Sequence, residues 1–289
     1  MITIVTPILV LPFPAIDPVA FSLGPFEVRW YALAYLLGFL CNWAYARALV
    51  RANRLWGDTP HPTPESMTDL VLYSMLGTLI GGRLGQVIFY EPSYYAAHPL
   101  EILETWRGGM SCHGGLIGAL LAIWYFSHRF KISFLTIGDI FATVAPVTIF
   151  FVRIGNFINE ELWGRPTNVP WAVVFPDVDA QPRHPSQLYE AGLEGLLLLV
   201  VLAVIAWKGG LKRPGLALGA GILGYGVARI AMEFFREPDP ELEQLAHGLT
   251  MGMVLSIPMV LGGFALVIYS LWAAHRQGLL KSSARDCSH

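Results

Sequence analysis

The chain has 289 residues, of which 54% are hydrophobic and only 14% charged, whereas a soluble globular domain carries about 25% charged residues. With a mean hydropathy of +0.52, this composition points to a bilayer rather than to one large buried core. A net charge of −2 argues against nucleic acid or another polyanion as partner. Cys41, Cys112 and Cys287 lie far apart without CxxC spacing, so neither a disulfide framework nor a metal cluster is indicated. No HExxH, Walker A, dinucleotide or nucleophile-elbow motif stands in a convincing context. The stretch Met1 to Ala20 is apolar but holds Pro7, Pro12, Pro14 and Pro18 and lacks a basic start, which reads against a cleaved signal peptide.

A spanning helix needs roughly 20 mostly apolar residues. In chain order the candidates are Tyr31–Val50, Leu70–Tyr90, Ser111–Phe126, Leu135–Ile158, Gln187–Trp207, Gly215–Phe235 and Leu249–Trp272. The expected fold is therefore all-α: a polytopic membrane protein with about seven transmembrane helices forming a single integral-membrane domain. The connections are rich in Pro, Gly, Asp and Glu and read as loops. The longest, 160–185, is expected to form a small extracytoplasmic cap, with a short strand within Pro170–Pro176.

Cytoplasmic loops are enriched in Lys and Arg. The ends of the first, third, fifth and seventh spans carry Arg47, Arg51 and Arg54; Arg129 and Lys131; Lys208, Lys212 and Arg213; Arg276, Lys281 and Arg285. The opposite loops carry Glu91, Glu101, Glu104, Asp177, Asp179, Glu237, Asp239, Glu241 and Glu243. This asymmetry predicts an extracytoplasmic N-terminus and a cytoplasmic tail over 274–289.

Eight further arginines remain: Arg29, Arg83, Arg107, Arg153, Arg165, Arg183, Arg229 and Arg236. An ionisable group at membrane depth is costly and marks a candidate functional site. With the predicted orientation, Arg83 and Gln86, His113, Arg153 and Asn156, Gln187, Glu190 and Glu194, and Tyr225 through Arg236 all fall toward the outer leaflet. Helical spacing groups them further. Tyr225, Arg229, Glu233 and Arg236 share one face, as do Gln187, Glu190 and Glu194, and Arg153 neighbours Asn156. Two readings compete for the Arg229/Glu233 pair: a structural ion pair, or part of a binding site. Glu190 and Glu194 read as partners of arginines rather than as acids, and Arg83 fits an interfacial anchor equally well. His113 sits in Gly108-Gly109-Met110-Ser111-Cys112-His113-Gly114-Gly115. These glycines permit close backbone approach to a ligand or tight helix packing, and histidine can transfer protons near neutrality.

The run Arg153-Ile154-Gly155-Asn156-Phe157-Ile158-Asn159-Glu160-Glu161-Leu162-Trp163-Gly164-Arg165 resembles the signature of the bacterial phosphatidylglycerol–prolipoprotein diacylglyceryl transferases. So do Gly108–Gly115, His184-Pro185-Ser186-Gln187-Leu188-Tyr189-Glu190, Trp30-Tyr31, and Tyr225-Gly226-Val227-Ala228-Arg229 followed by Glu233-Phe234-Phe235-Arg236. The motifs occur in order over nearly the whole chain. Glu160 departs from the family, which usually has Gly there, and Cys112 stands where Phe or a small residue is common.

The resemblance implies an inner-membrane enzyme that moves the diacylglyceryl group of phosphatidylglycerol onto the lipobox cysteine of a prolipoprotein signal peptide. The products are a thioether and glycerol phosphate. Arginine suits a departing phosphate through its planar fork, which assigns Arg153 and Arg229 to it, with Asn156 as an added donor, Glu233 holding Arg229, and Arg236 in support. The thiol must lose a proton: His113 is the candidate base ahead of Tyr225, which fits a positioner better, and a thiol pKa lowered by the arginine cluster alone is the remaining alternative. The resemblance places Tyr31, Gly108, Gly114, Glu161 and Gly164 at the site. No metal or organic cofactor is expected. A transporter of an anionic or lipid substrate is the alternative from composition alone; it predicts paired repeats or helices broken near the midplane.

Overall fold

The computed structural model describes residues 11–14, 16–24, 26–104, 110–237 and 250–286. Among them, helices occupy all seven predicted places: α1 (Trp30–Arg51), α2 (Ser66–Gly85), the short α3 (Pro92–Ala97), α4 (Cys112–Phe130), α5 (Phe134–Ile158), α6 (Ser186–Glu190), α7 (Leu198–Trp207), α8 (Leu216–Met232) and α9 (Met251–Asp286). A π-helical turn, Gln86–Tyr90, prolongs α2. A second, Ala191–Leu197, joins α6 and α7 into one continuous helix, Ser186–Trp207. Five of these helices are long and apolar enough to cross a bilayer, while α8 is a shorter apolar helix. The protein is an all-α membrane protein. The boundaries differ from expectation mainly in α2, α4 and α9, which run a turn or more further: polar ends such as Ser66 to Asp69 and Ser127 to Phe130 continue the helix where hydropathy fades.

The exposed faces of the helices are apolar, with Leu36, Leu37, Phe39 and Leu40 on α1 and Leu72, Met75, Leu76 and Leu79 on α2. Small residues and polar groups turn inward. Helices α2 and α4 are the most intimately packed pair. Gly77, Gly81 and Gly85 face Gly114 and Gly118 so closely that a Cβ at these positions would meet the backbone of the opposite helix. In lipid, where apolar burial gives no drive, this close approach is what holds two helices together.

At the end carrying the lysines lies an apolar core of Leu49, Val50, Trp56, Leu70, Phe126, Ile137 and Ile140. Fully buried Asp139 of α5 accepts the Gly215 N–H at 2.8 Å and the Leu218 N–H at 2.7 Å. It thereby caps the otherwise bare start of α8, where Gly215 takes φ +92°. This anchors α5 against α8 and sets which side chains meet at their far ends.

Strands add little but close the other end. The strands β2 (Val19–Leu23) and β3 (Phe26–Arg29) form a hairpin leading into α1. Segment 160–185 contributes β4 (Val173–Val174), inside the predicted stretch, and β5 (Pro182–Arg183). The strand β1 (Leu11–Pro12) adds to β4 in parallel, with Leu11 opposite Val173. Beneath this small sheet, Phe13, Phe157 and Phe175 pack with ring centroids 5.3–5.9 Å apart, Phe157 and Phe175 edge to face and Phe13 tilted against both, tying it to the end of α5.

Candidate active site

Three helix ends converge under this sheet. Arg153 lies five residues before the end of α5, about 7.5 Å inside it at 1.5 Å per residue. Arg229 precedes the end of α8 by three residues, and Glu190 and Glu194 lie one and two turns into the Ser186–Trp207 helix. Three helices separated in sequence place their ionisable groups at one depth because α5, α6 and α8 are mutual neighbours.

Glu190 is the hub. Its carboxylate has no exposed surface, and three guanidinium groups reach it: Arg153 Nε at 3.0 Å, Arg229 Nη1 at 3.4 Å and Arg236 Nη1 at 3.5 Å. Arg153 Nη2 donates to Glu194 at 3.1 Å, so one guanidinium spans two buried carboxylates a turn apart. Arg229 Nη2 pairs with Glu233 at 2.5 Å, the i,i+4 pair expected along α8. Like charges at Glu190 and Glu194 are tolerable side by side only because Arg153 lies between them. The wide π turn begins just after Glu190 and contains Glu194. Such turns recur at functional sites.

Glu190 and Glu194 thus partner arginines, as expected from the sequence, and every one of these three arginines arrives paired with acid. The paired edges are fixed, and the Arg153 side chain keeps 14% of its surface exposed.

About one turn nearer the helix ends, Glu161 organises a second layer. Its carboxylate accepts from Asn156 Nδ2 at 3.1 Å and Asn159 Nδ2 at 3.3 Å, and its backbone carbonyl accepts from Gln187 Nε2 at 2.6 Å. Two left-handed residues, Glu160 at φ +55° and Leu162 at φ +57°, flank it. Such backbone is costly for residues with a Cβ and clusters at functional sites. The Glu160 position explains why glycine is usual there, and the glutamate compensates by accepting the Asp177 N–H at 2.8 Å.

The remaining expected residues distribute as follows. Tyr31 opens α1 beside Gly155 and donates to Tyr35 Oη at 3.3 Å. Tyr225 stands in the field of Arg153, Arg229, Glu190 and Glu194. Gly164 packs against the carbonyls of His184 and Phe235, where no side chain fits. Its N–H donates to His184 O at 3.0 Å, and Arg165 Nε donates to Arg236 O at 3.0 Å. Gly114 is used for α2–α4 packing, the second of the two readings open for it. His113 falls in the first turn of α4, but its side chain lies outside the described residues, as do Gly108 and Arg107. Arg83 is apart from the cluster: buried, it donates to Ile102 O at 2.8 Å and Glu101 O at 2.5 Å and lies over the Tyr95 ring. It pins the loop after α3. Arg183 ties segment 160–185 together through Asp179 at 2.7 Å, Glu237 at 3.3 Å and Gly164 O at 3.1 Å. Arg183 holds the Asp179 carboxyl below the usual range, and burial lowers the His184 imidazole.

Sequence reasoning missed the hub role of Glu190, although the Gln187/Glu190/Glu194 stripe carried its signal. It also missed Gly252 at the start of α9, which presses on Glu233 and Arg229 so closely that a Cβ would strike the carboxylate.

Residues 18–269 match the prolipoprotein diacylglyceryl transferase family. The chain belongs to that family. It is 52% identical over 261 residues to a phosphatidylglycerol–prolipoprotein diacylglyceryl transferase of Methylocella silvestris, covering 90% of this chain and 96% of that protein. Enzymes of the same name from Rhodopseudomonas palustris and Brucella canis are 51% and 50% identical. They cover 93% and 96% of this chain, and 95% and 98% of their own lengths. The transporter reading is set aside, since the family and its named members are transferases.

Proposed function

We propose that this diacylglyceryl transferase acts on phosphatidylglycerol and the lipobox cysteine of a prolipoprotein at the cluster around Glu190. The thiol sulfur forms a bond to the terminal glyceryl carbon of the diacylglyceryl unit. The carbon–oxygen bond to phosphate breaks, its electron pair leaves with glycerol phosphate, and the thiol proton passes to a base. The observation that carries the assignment is that Arg153 and Arg229, distant in sequence, reach the same buried carboxylate.

The acids serve to preorganise the arginines. Glu190 and Glu194 hold Arg153 from two sides at 3.0–3.1 Å, so its fork needs no reorganisation as charge builds on the phosphate. The contacts of Arg229 and Arg236 to Glu190 are longer, 3.4 and 3.5 Å. These are the edges that an incoming phosphate takes most readily. Glu161 positions Asn156 through one amide N–H, the second N–H adds a donor, and Tyr31 lines the site. His113 is the proposed base, with Tyr225 positioning the substrate, since a free thiol ionises only near pH 8.5.

The Lys and Arg distribution supports an orientation with the cluster and cap 160–185 on the extracytoplasmic side of the inner membrane, and tail 274–289 in the cytoplasm. The whole chain then acts as one integral-membrane catalytic domain. The test is incubation of the purified protein with phosphatidylglycerol and a lipobox peptide. A thioether adduct is expected from the wild type and not from Arg153→Ala; lipid movement without adduct overturns the proposal.

A further inference from the structure

We infer that Gln187, with Asn156, forms a subsite that accepts hydrogen bonds from the hydroxyls of the lipid's glycerol headgroup, and so sets headgroup specificity; this rests on the function proposed above. The orientation of both amides is forced. Gln187 Nε2 faces the Glu161 carbonyl at 2.6 Å, and a carbonyl can only accept. Asn156 Nδ2 faces the Glu161 carboxylate at 3.1 Å, which in ionised form likewise only accepts. The oxygens of both amides therefore point the other way. Among the described residues, neither Gln187 Oε1 nor Asn156 Oδ1 has a donor, although both atoms are buried. Gln187 has no exposed surface and Asn156 is 3% exposed.

Buried polar atoms are almost always paired, and two orphaned acceptors held by the same residue call for donors from elsewhere. Their location says which donors. Asn156 is three residues beyond Arg153 on α5, and Gln187 is three residues before Glu190 on the facing helix. The acceptors thus lie one rung, about 4.5 Å along the helices, beyond the arginine layer proposed to hold the phosphate. A glycerol unit esterified to that phosphate carries its two hydroxyls at a comparable reach. Two acceptors on different helices suit a diol better than a single donor.

The experiment compares phosphatidylglycerol with lipids whose headgroups are a propanediol, with one hydroxyl, and n-propanol, with none, in the thioether assay. In the wild type, kcat/KM should fall stepwise, at least fivefold for the propanediol and at least 20-fold for propanol. In Gln187→Met, the preference for phosphatidylglycerol over phosphatidylpropanol should shrink at least fivefold, while turnover of phosphatidylpropanol stays within about threefold of wild type. Should that variant not fold, the wild-type series decides alone: equal rates with all three headgroups overturn the subsite. So does a folded variant that keeps the full preference. If instead no lipid gives a thioether with wild-type protein, it is the proposed function that fails.

Discussion

Replacing Arg153 by lysine separates charge from geometry at the cluster. The guanidinium makes two charge-assisted contacts, Nε to Glu190 at 3.0 Å and Nη2 to Glu194 at 3.1 Å. A lysine ammonium is a point charge on a flexible stem and holds one carboxylate well, or both poorly. Losing one such bond costs about 1.5–3 kcal/mol, which at 1.36 kcal/mol per decade is about a ten- to 150-fold loss in rate if it is felt in the transition state. The variant also loses the remaining guanidinium edge proposed for the phosphate, so the total should exceed about 100-fold in kcat/KM. Alanine at this position is a poorer probe. It leaves Glu190 and Glu194 side by side in a buried site, at about 3–5 kcal/mol of destabilisation, and confounds activity with folding. The assay is thioether formation from phosphatidylglycerol and a lipobox peptide, with thermal unfolding in detergent measured in parallel. A lysine variant with wild-type kcat/KM would refute the argument that the fork matters.

Gly252→Ala should displace Glu233 from Arg229, since its Cβ meets the carboxylate. An overpacking cost of about 1–3 kcal/mol should appear as a lowered unfolding temperature together with at least a tenfold loss of activity. Glu160→Gly exchanges relief of a left-handed φ of +55° for loss of the bond to Asp177 N–H. These effects are each about 1 kcal/mol and opposed, so unfolding and turnover should both stay near wild type. The Asp179 carboxyl is held low by its hydrogen bond from Arg183. Its stabilisation is therefore present above the ordinary aspartate range and is lost as pH falls through the depressed value. Hydrogen exchange of segment 160–185 should accelerate there in wild type, and Asp179→Asn should abolish that pH dependence. His113→Gln should be most impaired at low pH, where little thiolate forms unaided. A variant whose activity is a constant fraction of wild type from pH 6 to 9 removes histidine as the base.

The helices were legible because lipid demands long apolar runs, and runs such as Leu135–Ile158 contain little else. Their ends were less legible. Hydropathy cannot register that Ser66 or Arg129 continues a helix, because water at the interface tolerates helix and loop alike. The N-terminal strands were invisible for another reason. β1 exists only by pairing with Val173 and Val174, more than 150 residues away, and two residues carry no periodicity of their own.

At the site, the pairing of Arg229 with Glu233 followed from their i,i+4 spacing, but the meeting of three helices on Glu190 did not. That contact depends on how α5 and α8 are anchored at their opposite ends, where Asp139 caps α8. From Asp139 to Arg153 is fourteen residues of α5, about 21 Å, so a capping bond at one end of the bundle fixes the depth at which Arg153 faces Arg229 at the other. Charge balance then completes the arrangement. Three arginines at membrane depth could not be kept together without Glu190, Glu194 and Glu233, and the same acids immobilise the guanidinium forks. The features that make this cluster affordable in a bilayer are thus the ones that preorganise it for an anionic headgroup. Substitutions at the acids should accordingly harm turnover even though, on the mechanism proposed, none of these carboxylates touches the reacting carbon.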